Sequence, residues 1–391
     1  METMLAVRAH ERGGPEVLRY EEAPKPVAGN GEVLVEVHAA AVTPGELSWD
    51  SSWLKEDGTD RTPMIPSHEF SGVVVSTSAG VDHPRVGDEV YGLIDFHHDG
   101  AAAEWVALPH EVVVGRPLAL SDVESAALPL AALTAWQALT RHGHVQRGDR
   151  VFIQGAAGGV GSLAVQLAKS IGATVSATAT PEDQPLVRSL GADAVVESPD
   201  AALASGEPGF DVLLNTFRGP VPTKSYDLVR PGGRLVTLAE PFDEAEATSR
   251  GIQGIFFVVE SHTADLRRIA TLAERGALRP VIARTSPLSE ASRAYGPPPI
   301  PTTTGQDRPG GTAMTDGSSL CVSPWSPSTC GGGTSAVRRP QPCLGRARRR
   351  VALALRARPP TGRHHFLSTN PNPPTLRAGE PMNGGRPGRA M

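Results

Sequence analysis

Apolar and polar residues alternate through the first third of the chain. Residues 32–38 read Glu-Val-Leu-Val-Glu-Val-His, which places the valines on one face, as in a half-buried strand. Further short strands are predicted at 72–75, 89–92 and 105–108, where apolar runs are separated by Gly, Pro and Asp residues, which favour turns. This pattern predicts a mostly β region over residues 5–122.

The pattern changes from strand to helix at Asp122. This residue is suited to cap a helix, and residues 126–139 are apolar and rich in strong helix formers. Strand and helix patterns then alternate along the chain, in segments 150–154, 160–171, 173–178, 183–190, 194–196, 211–215, 222–229, 234–238, 255–259 and 263–275. Such alternation is typical of a doubly wound parallel sheet.

A glycine-rich segment follows the first of these strands and carries the strongest functional signal. It lies between a buried strand and an amphipathic helix and consists of Gly155, Ala156, Ala157, Gly158, Gly159, Val160 and Gly161. Strand, glycine turn and helix are the context of a dinucleotide site, because glycines let the backbone approach a pyrophosphate and the helix N-terminus offers it free N–H groups. The alternative is a tight turn that closes an ordinary βα unit.

Composition divides the chain into a body and a tail. The 391 residues are enough for more than one domain, and the net charge of −5 is spread unevenly, since residues 306–391 hold 13 arginines, no lysine and three acids. All three cysteines lie in this tail, which excludes disulfides, iron–sulfur clusters and cysteine-bound zinc from the body. No apolar run reaches the roughly 20 residues of a membrane helix, and the N-terminus lacks a signal-peptide pattern. We therefore expect a cytoplasmic protein.

Five motifs in a fixed order carry a family resemblance, and they occupy residues 31–42, 86–92, 127–131 with 133–137, 155–161 and 231–235. Together they resemble the medium-chain dehydrogenase/reductase superfamily, specifically its zinc-independent, zeta-crystallin-like quinone oxidoreductase branch, over about residues 4–305. The resemblance implies an α/β protein with the active site in the cleft between two domains. It implies a GroES-like catalytic β domain (1–122), a Rossmann domain (123–262) and a return segment to the β domain (263–305).

The resemblance ends at Gln306. It implies a short strand that closes the β domain, whereas residues 306–391 are rich in Pro, Gly, Ser and Arg without periodicity. This composition predicts a disordered tail, and arginine without lysine favours out-of-frame translation of GC-rich DNA. The alternatives are an unrecognised extension and an arm that binds nucleic acid through Arg346, Arg348, Arg349 and Arg350. Loss of the closing strand predicts an unpaired sheet edge in the β domain.

Zinc-dependent relatives take a cysteine from the loop that corresponds to residues 42–46, and this chain has none there. His68 remains from the histidine motif, but a catalytic zinc site needs about three protein ligands. We therefore expect no zinc, and we expect His68 to be a structural or cleft-lining residue. Without a metal, hydride transfer suits a quinone or an enone, in which conjugation spreads the developing charge, better than it suits oxidation of an unactivated alcohol.

The resemblance also implies a substrate pocket in the β domain. It places Thr43 near the nicotinamide, and Glu46, Trp49 and Trp53 follow as candidate walls of the pocket. Ordinary packing under the β domain is the alternative for the tryptophans. Tyr91 is available as a proton donor, although its Gly-Asp-Glu-Val-Tyr-Gly context is equally well explained as structure, and water is the other proton source.

Cofactor choice depends on the end of the second Rossmann strand, because NAD enzymes place an acid there to accept from the ribose 2′-OH. Thr178 and Thr180 stand at this end in place of an acid, which suits the 2′-phosphate of NADPH, whereas Glu182 and Asp183 oppose it if they point inward. We therefore expect NADPH, with NADH less favoured. The resemblance adds further residues to the cofactor groove, namely Thr134, Asn215, Leu238, Phe257 and Val258.

Taken together, these features predict a zinc-independent, NADPH-dependent reductase that transfers hydride to a quinone or an α,β-unsaturated carbonyl. The alternative is a non-catalytic NADPH-binding or nucleic-acid-interacting protein of the same fold. The expected partner is a small carbonyl or quinone substrate, without a membrane or nucleic acid. The resemblance also implies a homodimer formed through the Rossmann sheet.

Overall fold

Two sheets form the β domain that the alternating pattern predicts. The computed structural model describes residues 2–206, 208–296 and 319–322. The smaller sheet is an antiparallel pair of β1 (Thr3–Ala9) and β2 (Leu18–Pro24). One short helix and five strands of the larger sheet follow, namely β3 (Glu32–Val42), α1 (Asp50–Trp53), β4 (Glu69–Thr77), β5 (Glu89–Leu93), β6 (Trp105–Pro109) and β7 (Val113–Gly115). β3 pairs with both β4 and β6, which makes it the central strand of this part of the sheet.

Next along the chain is a parallel sheet with helices between its strands. Its elements are α2 (Asp122–Ala126), α3 (Pro129–Gln137), β8 (Arg150–Gln154), α4 (Gly159–Ile171), β9 (Thr174–Thr178), α5 (Gln184–Ser189), β10 (Ala194–Val196), α6 (Pro199–Ala204), β11 (Phe210–Asn215), α7 (Thr223–Leu228), β12 (Val229–Thr237), α8 (Glu244–Ser249), β13 (Gln253–Phe256) and α9 (Thr263–Glu274). The strand order is β10-β9-β8-β11-β12-β13, with every pair parallel. This is the strand order of a Rossmann domain, and it confirms the predicted doubly wound sheet.

The first helical region differs from the prediction in two ways. Ser121, and not Asp122, is the N-cap of α2, because its hydroxyl accepts from Glu124 N while the Glu124 side chain accepts from Ser121 N. The predicted continuous helix is also broken after Ala126, and α3 restarts with Pro129 in its first turn. Proline is favoured there because the first helical N–H groups have no partner within the helix.

The expectation of an unpaired sheet edge is wrong. After α9 the chain returns to the β domain as β14 (Arg284–Pro287) and α10 (Ala291–Tyr295). A further strand, β15 (Ser319–Val322), pairs in parallel with β3 and antiparallel with β14. The backbone of these four residues therefore takes the place of the closing strand. The rest of the predicted tail, 306–318 and 323–391 with Arg346, Arg348, Arg349 and Arg350, lies outside the described residues.

Apolar packing joins the β domain and the Rossmann domain into one body. All described residues belong to one compact unit. The β domain has its own core around Val35, Phe70 and Met64, whereas Tyr91 and Leu93 of β5 pack with the core of the Rossmann domain. Among the helices of the described ranges, none is long and apolar enough to cross a membrane.

Candidate active site

Two strand ends mark the crevice in the Rossmann sheet. β8 and β11 are neighbours in the sheet although two strands separate them in sequence, so the connections leave them towards opposite sides. In open α/β sheets, ligands bind outside the carboxyl ends of the strands at such a switch point. Gln154 and Asn215 are the last residues of these two strands and lie opposite each other in the register.

The glycine turn after β8 has no room for side chains at two positions. Gly155 has φ = 77°, a left-handed conformation that favours glycine, and a Cβ there would overlap Thr216 Oγ1. A Cβ at Gly161 would overlap the carbonyl oxygen of Gly155 and lie 2.8 Å from Ala156 Cα. The tight turn and the close packing of α4 on β8 therefore both depend on glycine.

The N-terminus of α4 is open for a ligand. Gly158 is its N-cap and no side chain caps it, so the first N–H groups of the helix stay free. Gly159 and Val160 begin the helix, while Ala156 and Ala157 are buried beneath the turn. A pyrophosphate fits this arrangement, because free N–H groups and the helix dipole both favour an anion.

Two buried amide oxygens at the switch point have no hydrogen-bond partner among the described residues. They are Gln154 Oε1 and Asn215 Oδ1, on side chains whose residues are only 1% and 2% exposed. Buried polar atoms are almost always paired. Unpaired acceptors at a ligand crevice therefore fit hydrogen-bond donors that a bound nicotinamide cofactor provides. Asn215 is the last residue of β11, and its role in the cofactor groove stays a prediction. Gln154 was not predicted, although a polar residue ending an apolar strand was a usable signal.

The two threonines at the end of β9 already have partners. Thr178 is buried, and its Oγ1 accepts from Gly155 N at 3.1 Å, so it supports the glycine turn. Thr180 Oγ1 donates to Asp183 Oδ2 at 3.0 Å. β9 itself carries no acidic residue.

The remaining residues predicted for the cofactor groove differ in exposure. Thr134 is buried and donates to Leu130 O at 2.6 Å within α3. Leu238 packs against the Rossmann core. Phe257 lies just after β13 with its ring 4.2 Å from that of His142, between centroids, whereas Val258 is 64% exposed.

On the β-domain side, three rings form an aromatic row. Trp49 lies edge-on to Phe96 with centroids 5.2 Å apart, and His68 lies edge-on to the same ring at 5.3 Å. Thr43 is half-buried at the end of β3. Trp53 is fully buried in the core, and its indole N–H donates to Leu47 O at 2.9 Å, so ordinary packing accounts for it.

A buried carboxyl, that of Glu46, ties the loop after β3 to α10. It accepts from Ser67 N at 3.2 Å and from the Tyr295 hydroxyl, which in turn lies 2.9 Å from Ser67 Oγ. Burial raises the pKa of Glu46 to about 7 and is the main cause that raises the pKa of Tyr295 well above its usual value. Sequence reasoning missed Tyr295, because 249 residues separate it from Glu46.

His68 lies beside this carboxyl and is electrically neutral. Its Nε2 is 3.7 Å from Glu46 Oε2, and neither ring nitrogen hydrogen-bonds to a described residue. Burial, with Arg61 as a further cause, lowers the pKa of His68 to about 3. Glu69 accepts from Leu130 N at 2.7 Å, and burial raises its pKa to about 8.

The donor set around His68 does not fit a catalytic zinc ion. Within the described ranges, no three His, Cys, Asp or Glu side chains are grouped as metal ligands. The carboxyl groups of Glu46 and Glu69 are held by backbone and tyrosine donors, and residues 42–46 contain no cysteine. One free imidazole falls short of the three protein ligands of such sites.

Tyr91 is placed as a structural residue between the domains. Its hydroxyl donates to Leu266 O of α9 at 2.6 Å, and the side chain is fully buried. Burial raises its pKa above the usual value. A hydroxyl so engaged packs β5 against α9 and has no free proton for a substrate.

Comparison with known proteins identifies the family. A family model described as "Alcohol dehydrogenase GroES-like domain" matches residues 29–117, and one described as "Zinc-binding dehydrogenase" matches residues 190–296. The chain is 31% identical over 312 residues to the mitochondrial NAD(P)H oxidoreductase RTN4IP1 of Mus musculus, covering 68% of this chain and 78% of the relative. It is 33% identical over 290 residues to the 2-methylene-furan-3-one reductase of Solanum lycopersicum, covering 71% of each.

Solved structures agree with these relatives. The quinone oxidoreductase from Coxiella burnetii superposes with a TM-score of 0.69 at 28% identity, over 75% of this chain and 95% of that one. The glycine turn, the switch point and the two domains fit a nicotinamide cofactor and a small-molecule substrate. The chain therefore belongs to the medium-chain dehydrogenase/reductase superfamily, as a quinone-oxidoreductase-like oxidoreductase that uses a nicotinamide cofactor.

Proposed function

We propose that this protein is a zinc-independent, NADPH-dependent reductase of quinones or α,β-unsaturated carbonyls. The observation that carries the proposal is a cofactor crevice with free α4 N–H groups and two unpaired amide oxygens, together with a β-domain histidine whose surroundings do not fit zinc. Without a Lewis acid, the acceptor itself must spread the charge that develops during hydride transfer, and conjugated carbonyls do so.

The names of the relatives support this substrate class. The tomato relative is named for a 2-methylene-furan-3-one, in which a carbon–carbon double bond is conjugated with a ketone. The structural neighbour from Coxiella burnetii is named a quinone oxidoreductase. Both acceptors are conjugated carbonyl compounds.

The choice of NADPH rests on the end of β9. No acid on this strand accepts from a ribose 2′-OH, and Asp183 is held by Thr180. Residues 178–187 contain no lysine or arginine, which is unfavourable for binding the 2′-phosphate of NADPH. Comparison of the two cofactors is thus the sharpest test of this part of the proposal.

Each side of the cleft has its own task during the reaction. A bound nicotinamide supplies the hydride. The glycine turn and the α4 N-terminus hold the pyrophosphate, while Gln154 and Asn215 orient the cofactor through their free oxygens. Trp49 and Phe96 give a flat substrate an apolar wall. We assign the proton to solvent water, because the Tyr91 hydroxyl is engaged with Leu266 O.

Fluorescence titration of the full chain with NADPH and with NADH tests the cofactor, followed by turnover with quinones and enones. We expect tighter binding of NADPH and its oxidation by both acceptor classes. Equal binding of the two cofactors would remove the NADPH assignment. A folded protein that binds NADPH but reduces neither class would contradict the reductase.

The proposal extends to a cytoplasmic homodimer formed through the Rossmann sheet. β13 is an edge strand of that sheet, and Phe256 and Val258 near its end are 40% and 64% exposed, which suits a second copy. Sedimentation at several concentrations measures the oligomeric state, and a monomer at all of them would contradict the dimer. The mouse relative is named as mitochondrial, so fractionation of expressing cells tests the compartment.

A further inference from the structure

The four residues after β11, Thr216 to Gly219, form a strap that contacts both the Rossmann domain and the loop after β3. Its first residue is fixed to the Rossmann sheet, since Thr216 Oγ1 donates to Gln154 O at 2.7 Å. Its last residue is fixed as well, since Gly219 N donates to Glu240 Oε1 at 3.0 Å. The strap therefore holds its two central side chains in defined places.

These two side chains contact different domains. The Phe217 ring lies against the glycine turn, 3.3 Å from where a Cβ on Gly155 would stand. Arg218 reaches over the β domain, where a Cβ on Gly45 would overlap its Nη2 and lie 2.5 Å from Cζ. Gly45 has φ = −75° and ψ = −18°, which any residue adopts. The missing side chain at Gly45 therefore leaves room for the guanidinium and is not needed by the backbone.

The charge of Arg218 is not neutralised by its surroundings. The side chain is exposed and makes no hydrogen bond or ion pair with any of the residues that the structure describes. The nearest carboxyl along the loop, that of Glu46, is buried and already accepts from Tyr295 and Ser67. Glu240 is occupied by Gly219 N. An unpaired cation thus lies against Gly45, in the loop that also carries Thr43 and Glu46.

Its place in the sheet separates this cation from the adenosine end of the cofactor. The ribose 2′-position belongs to the end of β9, on one side of β8, whereas Arg218 follows β11 on the other side. Arg218 then contacts the loop after β3 in the β domain, which is the substrate side of the cleft. The cofactor's pyrophosphate already has the free N–H groups of the glycine turn and α4 as partners, so we expect the anion that pairs with Arg218 to be on the substrate.

We propose that Arg218 binds an anionic group of the substrate, so that the cleft prefers a conjugated carbonyl compound that carries a carboxylate or sulfonate over its neutral analogue. This inference rests on the proposed reductase activity. Guanidinium groups recognise such anions through paired, charge-assisted hydrogen bonds.

The test compares naphthoquinone with naphthoquinone sulfonate as acceptors for NADPH oxidation by the full chain. The ratio of kcat/KM for the anionic and the neutral quinone is measured in the wild type and in Arg218→Ala, Arg218→Lys and Gly45→Ala. The intrinsic reactivities of the two quinones affect this ratio equally in every variant, so they cancel when the variants are compared. Arg230→Ala is the matched control, because it removes the same charge from the amino end of β12, away from the cleft.

We expect Arg218→Ala to lower the ratio about tenfold or more, the effect of losing one charge-assisted hydrogen bond. Gly45→Ala should lower it similarly by displacing the guanidinium, while Arg218→Lys keeps part of the preference and Arg230→Ala leaves it unchanged. An unchanged ratio in Arg218→Ala would overturn the inference. So would a weaker Kd for NADPH at an unchanged ratio, which would assign the arginine to the cofactor.

If neither quinone is reduced, the proposed function fails and the inference is tested by binding. Tryptophan fluorescence then compares benzoate with benzamide in the presence of NADPH. Preference for benzoate that is lost in Arg218→Ala would uphold an anion site at Arg218. Equal binding of the two probes would overturn it.

Discussion

The buried carboxyl of Glu46 should make the stability of the β domain depend on pH. Its pKa rises from an ordinary value of 4.5 to about 7 in the folded protein, mainly because burial disfavours the charged form. Below pH 4.5 the group is protonated in the folded and unfolded chains alike. As the pH rises, the unfolded chain ionises first, so stability falls until the folded group also ionises near pH 7. At 1.36 kcal/mol per pKa unit, the loss is about 3 kcal/mol.

Glu46→Gln removes this titration and keeps the size of the side chain. We expect the free energy of unfolding of the wild type to fall, relative to the variant, by about 3 kcal/mol as the pH rises from about 4.5 to about 8. Glu69, whose pKa is raised mainly by burial and to a smaller extent by the Glu46 charge, contributes in both proteins, so the difference between them reports Glu46 together with its smaller effect on Glu69. A constant offset from the altered hydrogen bonds does not affect the slope.

Urea unfolding at several pH values measures this difference, followed by the fluorescence of Trp49, Trp53 and Trp105 in the β domain. Glu56→Gln is the matched control, because Glu56 is an exposed glutamate close by in sequence, and its curve should run parallel to the wild type. Tyr295→Phe should extend the loss to higher pH and enlarge it, since the Tyr295 hydroxyl lowers the pKa of Glu46 in the folded protein. Parallel curves for Glu46→Gln and the wild type would refute the reasoning.

Three further changes test the site. Tyr91→Phe leaves the buried Leu266 O without its donor, so it should cost about 1–2 kcal/mol of stability in thermal unfolding, yet leave kcat/KM per folded molecule within about twofold; a large loss of kcat would make Tyr91 a proton donor. Gly161→Val forces α4 away from Gly155, so NADPH binding should weaken by about tenfold or more in a fluorescence titration. Unchanged binding in a folded variant would contradict a pyrophosphate site at the glycine turn and the α4 N-terminus. Treatment with a zinc chelator should leave kcat/KM unchanged, and loss of activity that added zinc restores would disprove zinc independence.

Local pattern predicted the Rossmann strands well where they are short, buried and bounded by turns. β8 and β10 have the predicted ends, Arg150–Gln154 and Ala194–Val196. The N-cap of α2 was placed one residue late, although Glu124 three residues after Ser121 is the signature of a capping box. α6 and α8, each six residues long, were missed, although α5 and α7 have the same length and were predicted.

What local pattern does not reveal is set by distant parts of the chain. β15 is a strand because β3 and β14 leave room for a strand between them. The local sequence, four residues in a Pro- and Gly-rich stretch, does not predict it. The predicted candidates were brought near the cleft only in part, since Trp53 and Tyr91 are packing residues. The contacts of Glu46 with Tyr295 and of Gly45 with Arg218 join residues far apart in sequence, and only the folded chain brings them together.

The most direct test of the reductase is the fate of deuterium carried at the transferable position of NADPH. The full chain is incubated with this cofactor and cyclohexenone, and the product is analysed by mass spectrometry and NMR. The account predicts cyclohexanone with deuterium on the β carbon, because the conjugated system accepts the hydride. Deuterium on the carbonyl carbon of an alcohol, or no transfer from NADPH, would contradict it.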